Sequence, residues 1–482
     1  MNRLAHSLRD LGVEKGNRVA MLQINCPQCV EAYFAAAKLG AIYLPLNFRA
    51  KGDELIYMLD NSEANTLFVG ERYIELINSI SGTLSSVKKL ISIDSEHNGM
   101  LYYEDILLSP TEEILTDISD DDTTILVYTA GTTGFPKGVM LSHNSFAIYV
   151  LENVTPADPE LEERTILTVP LYHVAGIQAM MAAIYGGRTL VIERQFDPRE
   201  WLELVETEKV SRAMVVPTML KQLIDYPDFG KYDLSSLNVV TYGAAPMPLE
   251  VIRKAVTVFP GVSFINAFGQ TETASTITTV GPEDHIIKGT EAEKKIKLKR
   301  LSSIGKPMSD VKMKIIDEQG NELPVGWVGE IMARGPRVMS GYWKDNEKTK
   351  RTIDKEGWVH TGDIGYMDED GYFFLAGRAT DMIIRGGENI SPEEVEAVLH
   401  SHPKITEAAV IGIPDEQWGE QPKAVVVLNH GETATAEEIM EYCRGQLSSF
   451  KRPRSVVFVN ELPRNTLGKV IKVELRHRYG KP

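Results

Sequence analysis

The chain has 482 residues, 43% of them hydrophobic and 24% charged, with a net charge of −16. That length exceeds what a single hydrophobic core organises, so two or more domains are expected, and the composition is globular rather than disordered. The acidic balance argues against a nucleic-acid binder, which carries a basic surface, and no apolar run of about 18 residues is present to span a membrane.

Met1-Asn2-Arg3-Leu4-Ala5-His6 opens the chain as an amphipathic helix without the apolar core of a signal peptide, so a cytoplasmic location is expected. Val19-Ala20-Met21-Leu22 reads as a strand. The three cysteines are Cys26, Cys29 and Cys443. Cys26-Pro27-Gln28-Cys29 has the spacing of a metal or redox pair, but a four-ligand zinc site needs two further partners and no matching pair is evident. Pro27 suits the first position of a helix running to about Lys38, with Gly40 just past its end. The pair is therefore read as the entry of that helix.

The strand-like run Ile125-Leu126-Val127 leads into Tyr128-Thr129-Ala130-Gly131-Thr132-Thr133-Gly134-Phe135-Pro136-Lys137-Gly138. Glycines let backbone N–H groups approach an anion, hydroxyls add donors and Lys137 adds a point charge, which together suit a polyphosphate. The spacing is not Gly-x-x-x-x-Gly-Lys-Ser/Thr, so this is no Walker A loop. Further on, His173 lies in Pro170-Leu171-Tyr172-His173-Val174-Ala175-Gly176, where an apolar setting suggests a satisfied core histidine. Thr189 to Ile192, Ala213 to Val216 and Leu237 to Tyr242 are short runs, each followed by a turn and a helical pattern. That alternation predicts an α/β fold with largely parallel sheets.

Phe268-Gly269-Gln270-Thr271-Glu272-Thr273 reads as a loop after a strand at Val262 to Ile265. Glu272 is a candidate Mg²⁺ ligand, because Mg²⁺ sites use one or two carboxylates plus phosphates, and Phe268 could flank a flat ring; a surface turn is the competing reading. Lysine-rich Glu293 to Arg300 is read as a solvated loop. From about Ile304 to Phe374 shorter runs punctuated by Gly and Pro predict antiparallel β structure. Within it, Asp363 of Gly357-Trp358-Val359-His360-Thr361-Gly362-Asp363 could accept two hydrogen bonds from a ribose diol, or simply occupy a β-turn. Arg378, in Gly377-Arg378-Ala379-Thr380-Asp381, could reach the same sugar or phosphate, or form a surface ion pair.

A last unit begins near Arg378. Ser391-Pro392-Glu393-Glu394 starts a helix, with Ser391 as N-cap, Pro392 at the first position and Glu394 closing a capping box. Strands at Ala408 to Ile413, Ala424 to Leu428 and Ser455 to Val459, with a helix at Ala436 to Leu447, predict a small α+β domain. In Leu462-Pro463-Arg464-Asn465-Thr466-Leu467-Gly468-Lys469, Lys469 sits on a segment free to move. It could neutralise charge on a transferring phosphoryl group, or be an ordinary solvated lysine.

The ordered set Tyr128–Gly138, Gly243-Ala244-Ala245-Pro246, Phe268–Glu272, Thr361–Asp363, Gly377–Asp381 and Pro463–Lys469 resembles the acyl-CoA synthetases of the adenylate-forming superfamily, which also holds firefly luciferases and peptide-synthetase adenylation domains. The resemblance runs over essentially the whole chain, although relatives extend further before the helix that starts at Met1. It implies a large N-terminal α/β domain, residues 1–377, with parallel sheets and a small β-barrel-like subdomain at about 304–374. A small mobile α+β domain, residues 378–482, follows a hinge near Thr380, a position where relatives commonly carry Lys or Asp.

The implied reaction joins a carboxylic acid to ATP, giving an acyl-adenylate and pyrophosphate, and then passes the acyl group to the thiol of CoA, with Mg²⁺ as cofactor. By resemblance, Thr129, Ala130, Gly131, Thr132, Thr133, Gly134, Lys137 and Gly138 would hold the β- and γ-phosphates. Gly243, Ala244, Ala245, Pro246 and Phe268 would line the adenine slot beside Gly269 and Gln270. Thr271 and Glu272 would meet the α-phosphate and the metal, Asp363 and Arg378 the ribose, and Lys469 the carboxylate and α-phosphate. Gly386, Gly387, Glu388 and Lys451 would face CoA, with Arg452 beside them. His173 and Val174 to Met181 would flank the acyl site, whose small, apolar side chains suit a medium- or long-chain fatty acid, or an aromatic or alicyclic acid. A carrier-protein phosphopantetheine acting in trans stays open as an alternative acceptor, as do homodimer formation and peripheral membrane contact.

Overall fold

The structure is a computed structural model that describes residues 1–107, 110–129, 136–378, 381–385, 388–415, 418–464 and 470–480, without the side chains of residues 378, 388 and 389. Four sheets organise it. The first has eight strands, in the order Gly341–Tyr342, Lys137–Ser142, Thr123–Thr129, Ile42–Pro45, Arg18–Leu22, Ala64–Val69, Lys89–Ser92 and Leu101–Tyr102. It is parallel from Thr123–Thr129 onward and antiparallel where Lys137–Ser142 meets its two neighbours. The second has seven strands, and Ser263–Gln270, Val239–Gly243, Arg212–Val215, Arg164–Leu167 and Thr189–Ile192 run parallel within it. These are the expected α/β elements, and their β-branched runs sit where both sheet faces are covered.

One core cluster joins Val19, Tyr43 and Ile125 of the first sheet to Ala32 and Ala36 of the helix Pro27–Lys38 and to Ile177 and Met180 of the helix Val174–Tyr185. Pro27 stands in the first turn of its helix, and Gly40 beyond its end takes φ +63°, a conformation glycine adopts without strain.

The third sheet is antiparallel, as expected, with strands Lys312–Ile316, Gly329–Arg334, Val359–Met367 and Phe373–Arg378 in that order. It is open rather than closed into a barrel: Lys312–Ile316 and Phe373–Arg378 are its two edges among the described residues. The fourth holds Glu388–Ile390, Ile383–Arg385, Gly419–Leu428, Ile405–Asp415 and Ser455–Phe458, with the helices Pro392–His400 and Ala436–Arg444 packed on its core.

Three local readings change. Glu291–Leu301 is a helix, not a loop: Thr290 caps it, Glu291 and Glu293 occupy the first turn, and Lys299 and Arg300 the last, all in the sense that complements a helix dipole. Ser391 caps its helix by accepting from Glu394 N–H at 3.2 Å, but the Glu394 carboxylate turns to Lys451 instead of back to the cap, leaving the box half made. The strand beginning at Ser263 runs through to Gln270, so Phe268, Gly269 and Gln270 are strand residues and only Thr271–Thr273 form a turn. Gly269 is required there, since a Cβ would lie 1.5 Å from the Ser275 carbonyl oxygen.

Candidate active site

Two hairpin-like junctions bring the predicted motifs together. In the first sheet, Lys137 opens the strand that returns antiparallel to Thr123–Thr129, opposite Thr129 itself. The short strand Gly341–Tyr342 pairs with the far side of that strand, and Trp343 N–H donates to the Gly138 carbonyl at 2.8 Å. Met339 N–H donates to the Glu272 carbonyl at 2.9 Å, so the same segment is also tied to the turn that follows Gln270.

The result is a closed set of three side chains. Lys137 Nζ donates to the Tyr342 hydroxyl at 2.8 Å, that hydroxyl donates to Glu272 Oε1 at 2.8 Å, and Lys137 Nζ lies 3.1 Å from the same oxygen. Burial pushes the Glu272 carboxyl up, but the Lys137 charge and the Tyr342 hydroxyl outweigh it and hold the group below its usual range. Glu272 is thus kept ionised in a mostly buried position. Lys348 Nζ stands 5.6 Å from the centre of the Tyr342 ring, on which Lys137 also lies at 4.5 Å. Partial burial and the neighbouring Lys137 charge lower its pKa. Two cations and one carboxylate therefore converge beside Thr129, whose buried hydroxyl has no hydrogen-bond partner among the described residues.

Residues 130–135 lie outside the described residues, and with them Ala130, Gly131, Thr132, Thr133 and Gly134. The chemistry of the flanking groups fits a Mg²⁺–polyphosphate. A single ionised carboxylate suits a cation that completes its shell with water and phosphate oxygens, and among the described residues no group of three His, Cys, Asp or Glu side chains offers a self-contained metal cage.

A second constellation links the second and third sheets. Gln270 Nε2 donates to Asp363 Oδ2 at 2.6 Å and to the Thr361 carbonyl at 2.9 Å, while Asp363 N–H donates to Thr361 Oγ1 at 3.1 Å. Asp363 is a strand residue, 3% exposed, and pairs across the sheet with Arg378. Phe268 packs half-buried against Ile304, Ile315, Ile331 and Phe373. Gly243 pairs with Ala267, and a Cβ there would lie 2.0 Å from the Ala267 carbonyl oxygen. Ala244 follows at φ +67°, a left-handed conformation that costs a non-glycine residue free energy and turns the chain sharply out of the strand before Ala245 and Pro246.

His173 is not the satisfied core histidine its apolar neighbours suggest. It stands at the N-cap of the helix Val174–Tyr185 with its ring 4.3 Å from that of Tyr172, and Nε2 is buried without a hydrogen-bond partner among the described residues. The ring is only part-buried as a whole, but burial of its polar edge, aided by the Arg49 charge, lowers its pKa to about 3, so it is neutral at ordinary pH.

Lys451 is held by Glu394, with Nζ 2.7 Å from both carboxylate oxygens. Glu388 pairs in register with Arg385 across a two-residue connection. Gly386 and Gly387 in that connection lie outside the described residues, as do Thr380 and Lys469. Tyr342 and Lys348 are the site residues that sequence reasoning passed over. Their only local signal is Gly341-Tyr342-Trp343, which forms a two-residue strand too short to show any periodicity.

A model of the AMP-binding enzyme family matches residues 1–343, and one of the AMP-binding enzyme C-terminal domain matches residues 394–469. The chain is 34% identical over 479 residues to the indoleacetate–CoA ligase of Aromatoleum aromaticum, covering 99% of this chain and 91% of that protein. It is 35% identical over 482 residues to the feruloyl-CoA synthase of an Amycolatopsis species, covering 99% and 92%. Among solved structures, ATP-bound MatB of Rhodopseudomonas palustris superposes with a TM-score of 0.87 at 30% identity, over 99% of this chain and 92% of that one.

Proposed function

The chain belongs to the AMP-binding enzyme family and is an ATP-dependent, AMP-forming acid–thiol ligase; from that premise we propose that it activates a hydrophobic carboxylic acid and transfers it to CoA, with the Lys137–Tyr342–Glu272 set receiving the polyphosphate. That set carries the reading. Adenylation brings a carboxylate against a phosphate ester, two anions that repel, and a site that speeds their meeting must hold cations and donors already aimed at them. Lys137 and Lys348 supply the charge, and Thr129 adds a buried hydroxyl. Mg²⁺, when bound, would screen the phosphate charge, and Glu272 is the residue to hold it.

The remaining assignments follow the same logic. Asp363, oriented by Gln270, would accept hydrogen bonds from the ribose hydroxyls, with Arg378 beside it in register. Gly243 to Pro246 and Phe268 would border the base. Lys469 would bridge carboxylate and α-phosphate during adenylation. Rotation of residues 378–482 about Thr380 would then bring Gly386, Gly387, Glu388 and Lys451 to the thiol acceptor.

The acid is proposed to be aromatic. The two relatives named above are ligases of indoleacetate and of a ferulic-type acid. The helix after His173 carries half-buried Ala175, Ala179 and Ala182 beside buried Ile177 and Met180, an apolar set that supports a hydrophobic acid. A medium- or long-chain fatty acid is the second reading, favoured by the same apolar lining.

Pyrophosphate release measured across a panel of aryl, alkyl and amino acids, with and without CoA, tests the proposal. Acid-dependent release that turns over with CoA is expected, largest for an aryl acid. Release indifferent to every acid would overturn it.

A further inference from the structure

The pair Cys26–Cys29 takes no part in the chemistry above, yet it is built as more than a helix entry. Cys26 is the N-cap of the twelve-residue helix Pro27–Lys38, in extended conformation, with Pro27 in the first turn and Cys29 one turn in. The two sulfur atoms are 3.5 Å apart, and both are free thiols. Closing them to a disulfide needs a sulfur–sulfur distance of about 2.0 Å, a movement within one helical turn.

We infer that Cys26 and Cys29 form a reversible thiol–disulfide modification site that takes oxidising equivalents from a small hydroperoxide, with Cys26 attacking and Cys29 resolving. The two sulfurs are unequal because of where they sit. Cys26 stands at the N-cap, at the positive end of the helix, with the Cys29 sulfur 3.5 Å away, so its thiolate is the stabilised one. The Cys29 hydrogen bond lowers its pKa most; burial opposes this, and the Cys29 and Gln28 N–H groups and the Arg194 charge add to the lowering. Cys29, deeper in the turn, is shifted well the other way by the same shared bond and by burial, and its Sγ also lies 3.6 Å from the Ile24 carbonyl.

Burial selects the oxidant. Cys26 is 4% exposed and Cys29 3%, which excludes exchange with a folded protein disulfide and admits only a small molecule. In the first step the Cys26 thiolate attacks a peroxide oxygen; the S–O bond forms, the O–O bond breaks, and the hydroperoxide leaves as alcohol or water after taking a proton. In the second the Cys29 sulfur attacks the sulfenyl sulfur; the S–S bond forms, the S–O bond breaks, and hydroxide leaves as water with the Cys29 proton. Two thiols lose two electrons and one peroxide gains them.

Cys443 is an internal control: also buried, with its pKa pushed up to about 11 by burial alone, it has no second sulfur beside it.

The test is thiol mapping on the full-length native chain. The protein is exposed to hydrogen peroxide, quenched, unfolded in iodoacetamide, digested and weighed. The expected result is a peptide holding Cys26 and Cys29 that escapes alkylation and lacks two hydrogens, with alkylation restored by dithiothreitol and Cys443 alkylated throughout. In Cys29→Ser, dimedone is expected to capture a sulfenic acid on Cys26; in Cys26→Ser, none on Cys29. If either variant fails to fold, the wild-type map decides alone. Alkylation of all three cysteines after native oxidation, or over-oxidation of Cys26 with Cys29 left free, would overturn the inference. Neither outcome depends on ligase activity.

Discussion

Lys137 and Tyr342 lie 205 positions apart and meet at 2.8 Å, the lysine donating to a hydroxyl that in turn donates to Glu272. Tyr342→Phe deletes that relay but keeps the ring on which Lys137 rests. A hydrogen bond to a charged group contributes about 1.5–3 kcal/mol, so acyl-adenylate formation is expected to slow by roughly tenfold to a hundredfold in single-turnover measurements, with circular dichroism unchanged. An unaltered rate would show that Tyr342 only packs. The depressed Glu272 pKa adds a sign: its stabilising contribution is present above the unfolded carboxylate pKa and is lost as pH falls through the lower folded value. Tyr342→Phe is expected to move that loss to higher pH.

Lys469→Ala is expected to slow the first half-reaction by on the order of 10²-fold or more, the cost of removing an electrostatic stabiliser of developing charge. Transfer from a synthetic acyl-adenylate to CoA should be far less affected. Quench-flow of each half-reaction separates the two, and equal losses in both would remove Lys469 from the proposed role.

Lys451 predicts the opposite split. Its ammonium is engaged by Glu394 from a partly exposed position, so it must exchange that carboxylate for a phosphate of CoA if it is to bind the acceptor. Lys451→Ala is therefore expected to raise KM for CoA several-fold at unchanged adenylation rate. The exposed pair itself contributes within about 1 kcal/mol to stability, so thermal unfolding should barely move.

Much of this was legible before any coordinates. Parallel strands such as Thr189–Ile192 and the antiparallel character of Lys312–Arg334 follow from β-branched runs and their turn residues, and Lys137, Glu272 and Asp363 stood out because glycines isolate them in short motifs. What escaped is non-local. Tyr342 is recruited by a two-residue strand whose pairing with Val139 is set by the rest of the fold. Gln270 looked like a loop residue because Gly269 breaks the β pattern, when that glycine exists to let Ser275 approach. His173 looked satisfied because its neighbours are apolar, yet at the start of its helix Nε2 has no partner among the described residues. The helix Glu291–Leu301 was missed because its polar face all round carries no amphipathic signal, only caps and end charges.

Glu193 and His173 give the last prediction, in which two desolvated groups pull stability in opposite directions. Glu193 is fully buried just past the strand Thr189–Ile192; Oε1 accepts from Asp197 N–H at 3.0 Å, and Oε2 has no partner within hydrogen-bond geometry among the described residues. Burial raises its pKa from 4.5 to about 7. The native state therefore keeps a proton that the unfolded state loses, and stability falls as pH rises from about 4.5 to 7, by at most ~3 kcal/mol. His173, lowered from 6.5 to about 3, does the reverse: the unfolded chain binds the proton first, so stability rises with pH from about 3 to 6.5. Between 4.5 and 6.5 the two slopes oppose each other in the wild type. Glu193→Gln retains the Asp197 hydrogen bond and removes one slope, so urea unfolding of the variant is expected to show stability climbing through that window. Its advantage over the wild type should widen toward pH 7 and then stay constant. A wild-type-minus-variant difference that is flat across pH 4.5 to 8 would mean that Glu193 is ionised in the folded protein and that Oε2 has found a partner in solution.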